Sequence, residues 1–193
     1  LLNQQDVANV LQAIKDTRET LKVTPKQEVS YDVFEILGVV KAIIDSLKLY
    51  ILQHEISKQE LIESSCKLTS NDPLLISQIL EREQRGSNVY NNFGFALLHV
   101  STKLVNNCLI RIFKANQSEF SSDELKNVKV VLLMLIPDNA TDIQKKIMSY
   151  ISAQLIENND FFNQLVNGDI EKIKEAFNKI LHEYTVNIIK EEQ

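Results

Sequence analysis

The sequence predicts an α/β fold: a mixed β-sheet flanked by helices on both faces and preceded by an N-terminal helical segment. Residues 128–136 form an almost uninterrupted run of Val, Leu, Met and Ile, the pattern of a strand buried on both faces and therefore central in a helix-covered sheet. Segments with apolar residues at helical spacing lie before and after it, among shorter apolar runs. Glycine and proline are scarce, at four and three in 193 residues, which favours long helices over a many-turned all-β chain.

That length supports one domain with a real core and is short for two. Residues 3–22 place Val7, Val10, Leu11 and Ile14 on one helical face. Thr24-Pro25 breaks this helix, and Ser30 can cap a second. The second carries Val33, Ile36, Leu37, Val40, Ile43, Ile44 and Leu47. The two helices read as a preface over 1–46, leaving 47–193 as the main domain. The chain opens on Leu1 rather than Met, and we read it as a fragment of something longer.

Residues 47–52 are short and apolar and predict a strand. Ser57 and Glu60 form a capping box that starts a helix running to about Leu68. Asp72-Pro73 is a cap followed by a first helical position, and Leu75, Ile76, Ile79 and Leu80 carry that helix to residues 83–85. The turn Gly86-Ser87-Asn88 leads to a strand ending at His99. Residues 108–113 predict another strand. Residues 118–126 are polar, with a helical turn after Ser121. Pro137-Asp138 stops the central strand. Thr141 and Gln144 form a second capping box, and Ile143, Ile147, Tyr150, Ile151 and Leu155 make an inward stripe. A short helix over 160–166, a break at Gly168 and a long last helix complete the order α-α-β-α-α-β-β-β-α-α-α.

Composition narrows the function. A net charge of −5 with scattered Lys and Arg disfavours direct nucleic-acid binding, which rests on phosphate neutralisation. No apolar run approaches the roughly 20 residues of a membrane span, and there is no signal-peptide pattern. Cys66 and Cys108 lie outside any CxxC and read as buried free thiols of a cytoplasmic protein. No histidine has a neighbour at metal-ligand spacing, so no metal is expected. No glycine-rich phosphate loop is present, and no cofactor is expected.

The chemistry concentrates in Glu81-Arg82-Glu83, Gly86 and Gly94-Phe95-Ala96-Leu97-Leu98-His99. His54 reads as a surface loop residue and His182 as a core-edge or solvated helix residue. His99 differs, because it closes an apolar strand just before Ser101-Thr102-Lys103, side chains able to donate to an anion. A neutral imidazole there can act as a nucleophile. Spacing alone favours an incidental histidine over a functional one.

Arg82-Glu83, a glycine-containing turn and Gly94–His99 together resemble a signature of the mannitol/fructose-type EIIA domains of the bacterial phosphoenolpyruvate-dependent sugar phosphotransferase system (PTS). The resemblance covers about three-quarters of the chain. It implies that His99 accepts a phosphoryl group from the phosphocarrier HPr or exchanges it with an EIIB domain, and that Arg82 stabilises the phosphoryl charge. It implies a phosphoacceptor rather than a turnover enzyme. Two departures stand out. Leu98 replaces the Pro before the histidine, and Gln144 falls where the transporter domains carry a second histidine. Both make the chain more similar to the EIIA-like domains that end mannitol operon activators of Gram-positive bacteria. Such a domain would dock with upstream domains of its own regulator. A true EIIA transport component and a phosphorylation-dead interaction module are the alternatives.

Overall fold

The structure, a computed structural model, describes residues 33–191, with side chains to residue 188. The helix expected over 3–22, the break at Thr24-Pro25 and the cap at Ser30 lie outside the described residues. The described chain runs α1 (Val33–Ser46), β1 (Lys48–Leu52), α2 (Lys58–Thr69), α3 (Pro73–Gln84), β2 (Val89–Tyr90), β3 (Phe95–Thr102), β4 (Leu109–Ala115), a 3₁₀ turn (Asp123–Leu125), β5 (Val130–Pro137), α4 (Asp142–Glu157), α5 (Asn159–Asn167) and α6 (Ile170–Glu191).

The helices begin where local chemistry places them. Ser57 and Glu60 close the expected capping box on α2, and Thr141 and Gln144 do the same on α4. Asp72 Oδ1 accepts from the Leu74 N–H at 2.9 Å, with Pro73 opening α3. Each arrangement satisfies backbone donors that a helix start leaves free.

The five strands form one mixed sheet in the order β1-β4-β5-β3-β2. β1 pairs parallel to β4, β4 antiparallel to β5, β5 parallel to β3, and β3 antiparallel to β2. The central run is therefore β5, buried along nearly its whole length. Side-chain alternation sends Ala96, Leu98, Val131, Leu133, Leu135 and Phe113 to one face. There they pack with Leu61, Ile62 and Cys66 of α2 and Leu75 and Ile79 of α3. The opposite face carries Phe95, Leu97 and His99 from β3 and Val130, Leu132 and Met134 from β5. Phe162 of α5 approaches Phe95 there at 6.3 Å between ring centroids, and Ser152 of α4 donates to Met134 Sδ at 3.7 Å. Helices thus cover both faces. Burying each large aliphatic or aromatic side chain in these layers contributes about 1.5–3 kcal/mol.

α1 buries Ile36 and Ile43 completely. Its last residue ties to β4: Ser46 Oγ accepts from the Ile110 N–H at 3.2 Å, and the Arg111 guanidinium donates to the Ser46 carbonyl.

Several details differ from the sequence reading. β3 does not end at His99 but continues through Ser101 and Thr102, which pair with Ile136 and Pro137 of β5. The two-residue β2 was not expected. On α4, Met148 and Gln154 join the buried set. Tyr150 instead stacks on Tyr184 of α6 at 4.3 Å, on the seam between the two helices.

Candidate functional site

The site forms where the end of α3 meets the outer edge of β3. Arg82 lies in the last turn of α3, where a cation complements the helix dipole. The chain leaves the helix through Arg85 and Gly86, whose N–H bonds the Glu83 carbonyl at 3.3 Å. Asn88 is buried. Its carbonyl accepts from the Leu97 N–H at 2.9 Å, and its Nδ2 donates to Glu83 Oε1 at 3.0 Å.

After β2 the chain reverses at Gly94, which has φ +78°. A side chain there would be strained, and its Cβ would stand 3.3 Å from the Asn127 carbonyl oxygen. β2 pairs only Val89 with Ala96 and Tyr90 with Phe95. Beyond Leu97, the outer edge of β3 has no strand partner among the described residues. His99 lies on that open edge, half-buried.

Arg82 Nη2 stands 3.4 Å from His99 Nε2, and Nη1 donates to the Gly86 carbonyl at 3.4 Å. A guanidinium offers only donors. Nε2 must therefore present its lone pair to Arg82, which assigns the ring proton to Nδ1. Nδ1 is buried with no hydrogen bond of ordinary geometry. Burial, and then the Arg82 charge, hold the ring below its ordinary pKa of 6.5. The Leu97 backbone and the Glu83 charge oppose them. The outcome is a neutral imidazole at neutral pH, with its one lone pair facing a positive charge. Such a group can attack an electrophilic phosphorus while the guanidinium meets the developing charge on the oxygens.

The other candidates are placed differently. The Gln144 side-chain oxygen accepts from the Thr141 N–H at 2.9 Å, as the second arm of its own helix cap. No hydrogen bond among the described residues joins it to His99 or Arg82. Ser101 and Lys103 are exposed. Thr102 is fully buried, and its Oγ1 accepts from the Leu104 N–H at 3.2 Å, so it is committed to the strand end. His54 Nδ1 lies 3.0 Å from Asn116 Oδ1 in the turn after β1. His182 is exposed on α6. Cys66 and Cys108 are free and buried, and burial pushes their thiols up to about 12 and about 11. Among the described residues no three His, Cys, Asp or Glu side chains gather as a metal site, and no helix is long and apolar enough to cross a membrane.

A cavity of about 570 Å³ lies between α5 and α6, and one of about 240 Å³ lies beside Lys114. Neither is lined by Arg82 or His99. Small-molecule sites enclose most of their ligand, whereas this imidazole lies on an open sheet edge, the kind of place that another protein can approach. Asn88 and Lys58, which frame the turn behind Arg82, gave no sign in the sequence, because their partners are brought to them only by the fold.

The family model described as phosphoenolpyruvate-dependent sugar phosphotransferase system, EIIA 2, matches residues 43–181. The nitrogen regulatory protein IIA-Ntr of Neisseria meningitidis is similar in structure, with a TM-score of 0.55 and 19% identity over 69% of this chain and 97% of that one. A putative PTS IIA domain from Streptococcus pyogenes M1 GAS gives a TM-score of 0.52 and 14% identity, over 78% of this chain and 97% of that one. At these identities the likeness is one of fold. No curated protein sequence matches the chain.

Proposed function

The chain belongs to the EIIA 2 family of the phosphoenolpyruvate-dependent sugar phosphotransferase system, and from that premise we propose that it is a regulatory phosphoacceptor, reversibly phosphorylated on His99 to report sugar-transport status within a transcriptional regulator. The observation that carries the reading is the approach of Arg82 Nη2 to His99 Nε2 at 3.4 Å. As the donor docks, Arg82 Nη2 shifts from Nε2 to the oxygens of the incoming group. The freed Nε2 lone pair attacks the phosphorus of a phosphohistidine on HPr or of a phosphorylated EIIB, and the Nδ1 proton of the resulting imidazolium passes to water. The bond from phosphorus to the donor breaks, and the electron pair stays with the donor. Arg82 neutralises part of the charge on the transferred group. The domain occupies residues 47–193 and follows a preface over 1–46, of which α1 packs against the sheet. It works in the cytoplasm, where its phosphoryl donors are.

Regulation is favoured over transport by the single imidazole. Rapid relay benefits from a second group that can take up a proton, and Gln144 cannot do so. Its oxygen is committed to the α4 cap. The phosphoryl group adds about 1.5 to 2 negative charges to a chain already at −5, which changes how it docks to an EIIB domain or to upstream regulator domains. One fold neighbour is by name a nitrogen regulatory protein, a regulatory use of the same fold.

The test is incubation of the full chain with phosphoenolpyruvate, Enzyme I and HPr, followed by intact-mass measurement. Wild type should gain one phosphoryl group and His99→Ala none. An unmodified wild type overturns the reading. Restoration of sugar uptake in a strain lacking its own EIIA would instead make the chain a transport component.

A further inference from the structure

Behind the Arg82–His99 contact lies a polar cluster that the proposed transfer does not use. The Glu83 side chain is 6% exposed, and Lys58 Nζ, on a side chain 19% exposed, stands 2.8 Å from its Oε2. Lys58 also donates to Ser87 Oγ at 3.0 Å. Asn88 holds the other carboxylate oxygen, and Ser87 Oγ accepts from the Val89 N–H at 3.3 Å. One lysine thus ties together the start of α2, the last turn of α3 and the turn leading to β2.

Lys58 is the first residue of α2, fixed by the Ser57–Glu60 capping box. A cation in a first helical turn opposes the helix dipole, so helix chemistry does not favour a lysine there. Its partner across the fold accounts for it. Enclosed ion pairs are weak sources of stability, and their best-attested use is to fix geometry. The Glu83 end of this one borders the site. Glu83 directly follows Arg82, and Asn88 bonds Leu97 two residues before His99.

We propose that Lys58 is a positioning residue for His99: by pinning Glu83 and Ser87 it fixes the turn that holds the Arg82 guanidinium against Nε2. The proposal rests on the reading of His99 as the phosphoryl acceptor, but its primary test does not need phosphate. The His99 ring is titrated by NMR in the full chain for wild type, Lys58→Met, Arg82→Ala and the double variant.

Lys58→Met should raise the His99 midpoint, because the charge that holds it down is no longer kept close. In the Arg82→Ala background the rise should shrink to the part that comes directly from the Glu83 carboxylate left unpaired, which acts on the ring with or without Arg82. Lys58→Arg should restore the wild-type value. Where Lys58→Met is too unstable to titrate, Lys58→Gln, which still hydrogen-bonds to a carboxylate, should shift the midpoint in the same direction. Phosphoryl acceptance from phospho-HPr should slow about tenfold in Lys58→Met, since misplacing a reacting group by about 1 Å can cost about a hundredfold. A midpoint that stays still, or that moves equally with and without Arg82, overturns the proposal. A wild type that takes no phosphate overturns the acceptor reading, and the titration then decides the role of Lys58 alone.

Discussion

Replacing Arg82 by Ala is the sharpest test of the site. Two unit charges about 4 Å apart interact by about 1 kcal/mol in water and about 4 kcal/mol at an effective dielectric of 20. His99 is half-buried, so the value for phospho-His99 and Arg82 falls between these limits. Hydrogen bonds to charged groups give a second measure, about 1.5–3 kcal/mol. Both describe the same contact and are not added. Since 1.4 kcal/mol is a tenfold change in an equilibrium constant, Arg82→Ala should lower the phosphorylation equilibrium about 10- to 100-fold.

The fold should tolerate the change. Arg82 makes two long side-chain bonds, to the Gly86 carbonyl and to His99 Nε2, both at 3.4 Å, so the loss of stability should stay within about 1 kcal/mol. The assay mixes phospho-HPr with each variant, lets the phosphoryl group exchange to equilibrium, and reads the modified fraction by intact mass. Arg82→Lys should fall between wild type and Arg82→Ala, because it keeps the charge and loses the planar fork. An equilibrium constant for Arg82→Ala within about twofold of wild type would refute the electrostatic account.

Three further outcomes follow from the same structure. Burial and Arg82 depress the His99 ring below 6.5; on acidification the unfolded chain therefore takes up its proton first, so this contribution to stability is full above about pH 6.5 and is lost as pH falls through the folded-state value. The stability difference between wild type and His99→Gln in urea melts should be constant above that range and move against wild type below it; a constant difference down to about pH 5 would contradict the assigned neutral ring. Gly168→Ala would place a Cβ 2.6 Å from the Gln164 carbonyl oxygen and 3.1 Å from Lys172 Cβ, so thermal unfolding should show a loss of about 1–3 kcal/mol, and an unchanged melt would refute the close packing at the α5–α6 turn. Cys66 and Cys108, buried and with thiols near 12 and 11, should react with a thiol reagent only in denaturant, since the thiolate is the reactive form; fast labelling of the native chain would show that the core opens there.

The parts of this fold legible in the sequence are those whose causes are local. Ser57 with Glu60, Asp72 with Pro73, and Thr141 with Gln144 mark helix starts because each cap bonds within its own turn. The run over 128–136 marks a central strand because burial on both faces leaves no polar alternation. β2 was not legible, since Val89 and Tyr90 are too few to show a period. The extension of β3 through Ser101 and Thr102 was hidden because their pairing with Ile136 and Pro137 is made by backbone, which leaves no mark on side-chain type. Gln154 joins the buried set because its Oε1 accepts from Asn158 Nδ2 at 3.1 Å, satisfying a polar group that hydropathy places outside. For the site, spacing gave His99 as one reading among several. Only the resemblance paired it with Arg82, seventeen residues earlier, because nothing local couples a helix end to the middle of a strand.

Gln144 shows how cap chemistry and site chemistry compete for one side chain. As the third residue of α4 it meets the Thr141 N–H with its oxygen, so that oxygen cannot also orient a group on His99. On the proposed reading, phospho-His99 then carries about two negative charges with Arg82 beside it, while the carboxylate of the next residue of α3, Glu83, is already neutralised by Lys58. The net negative charge stays on an open strand edge, where water and a docking partner can reach it. A site built for rapid passage of phosphate would have to lower the barrier in both directions with a second proton-carrying group. On the proposed reading, a site that leaves the charge half-compensated and exposed holds a state that another domain can read.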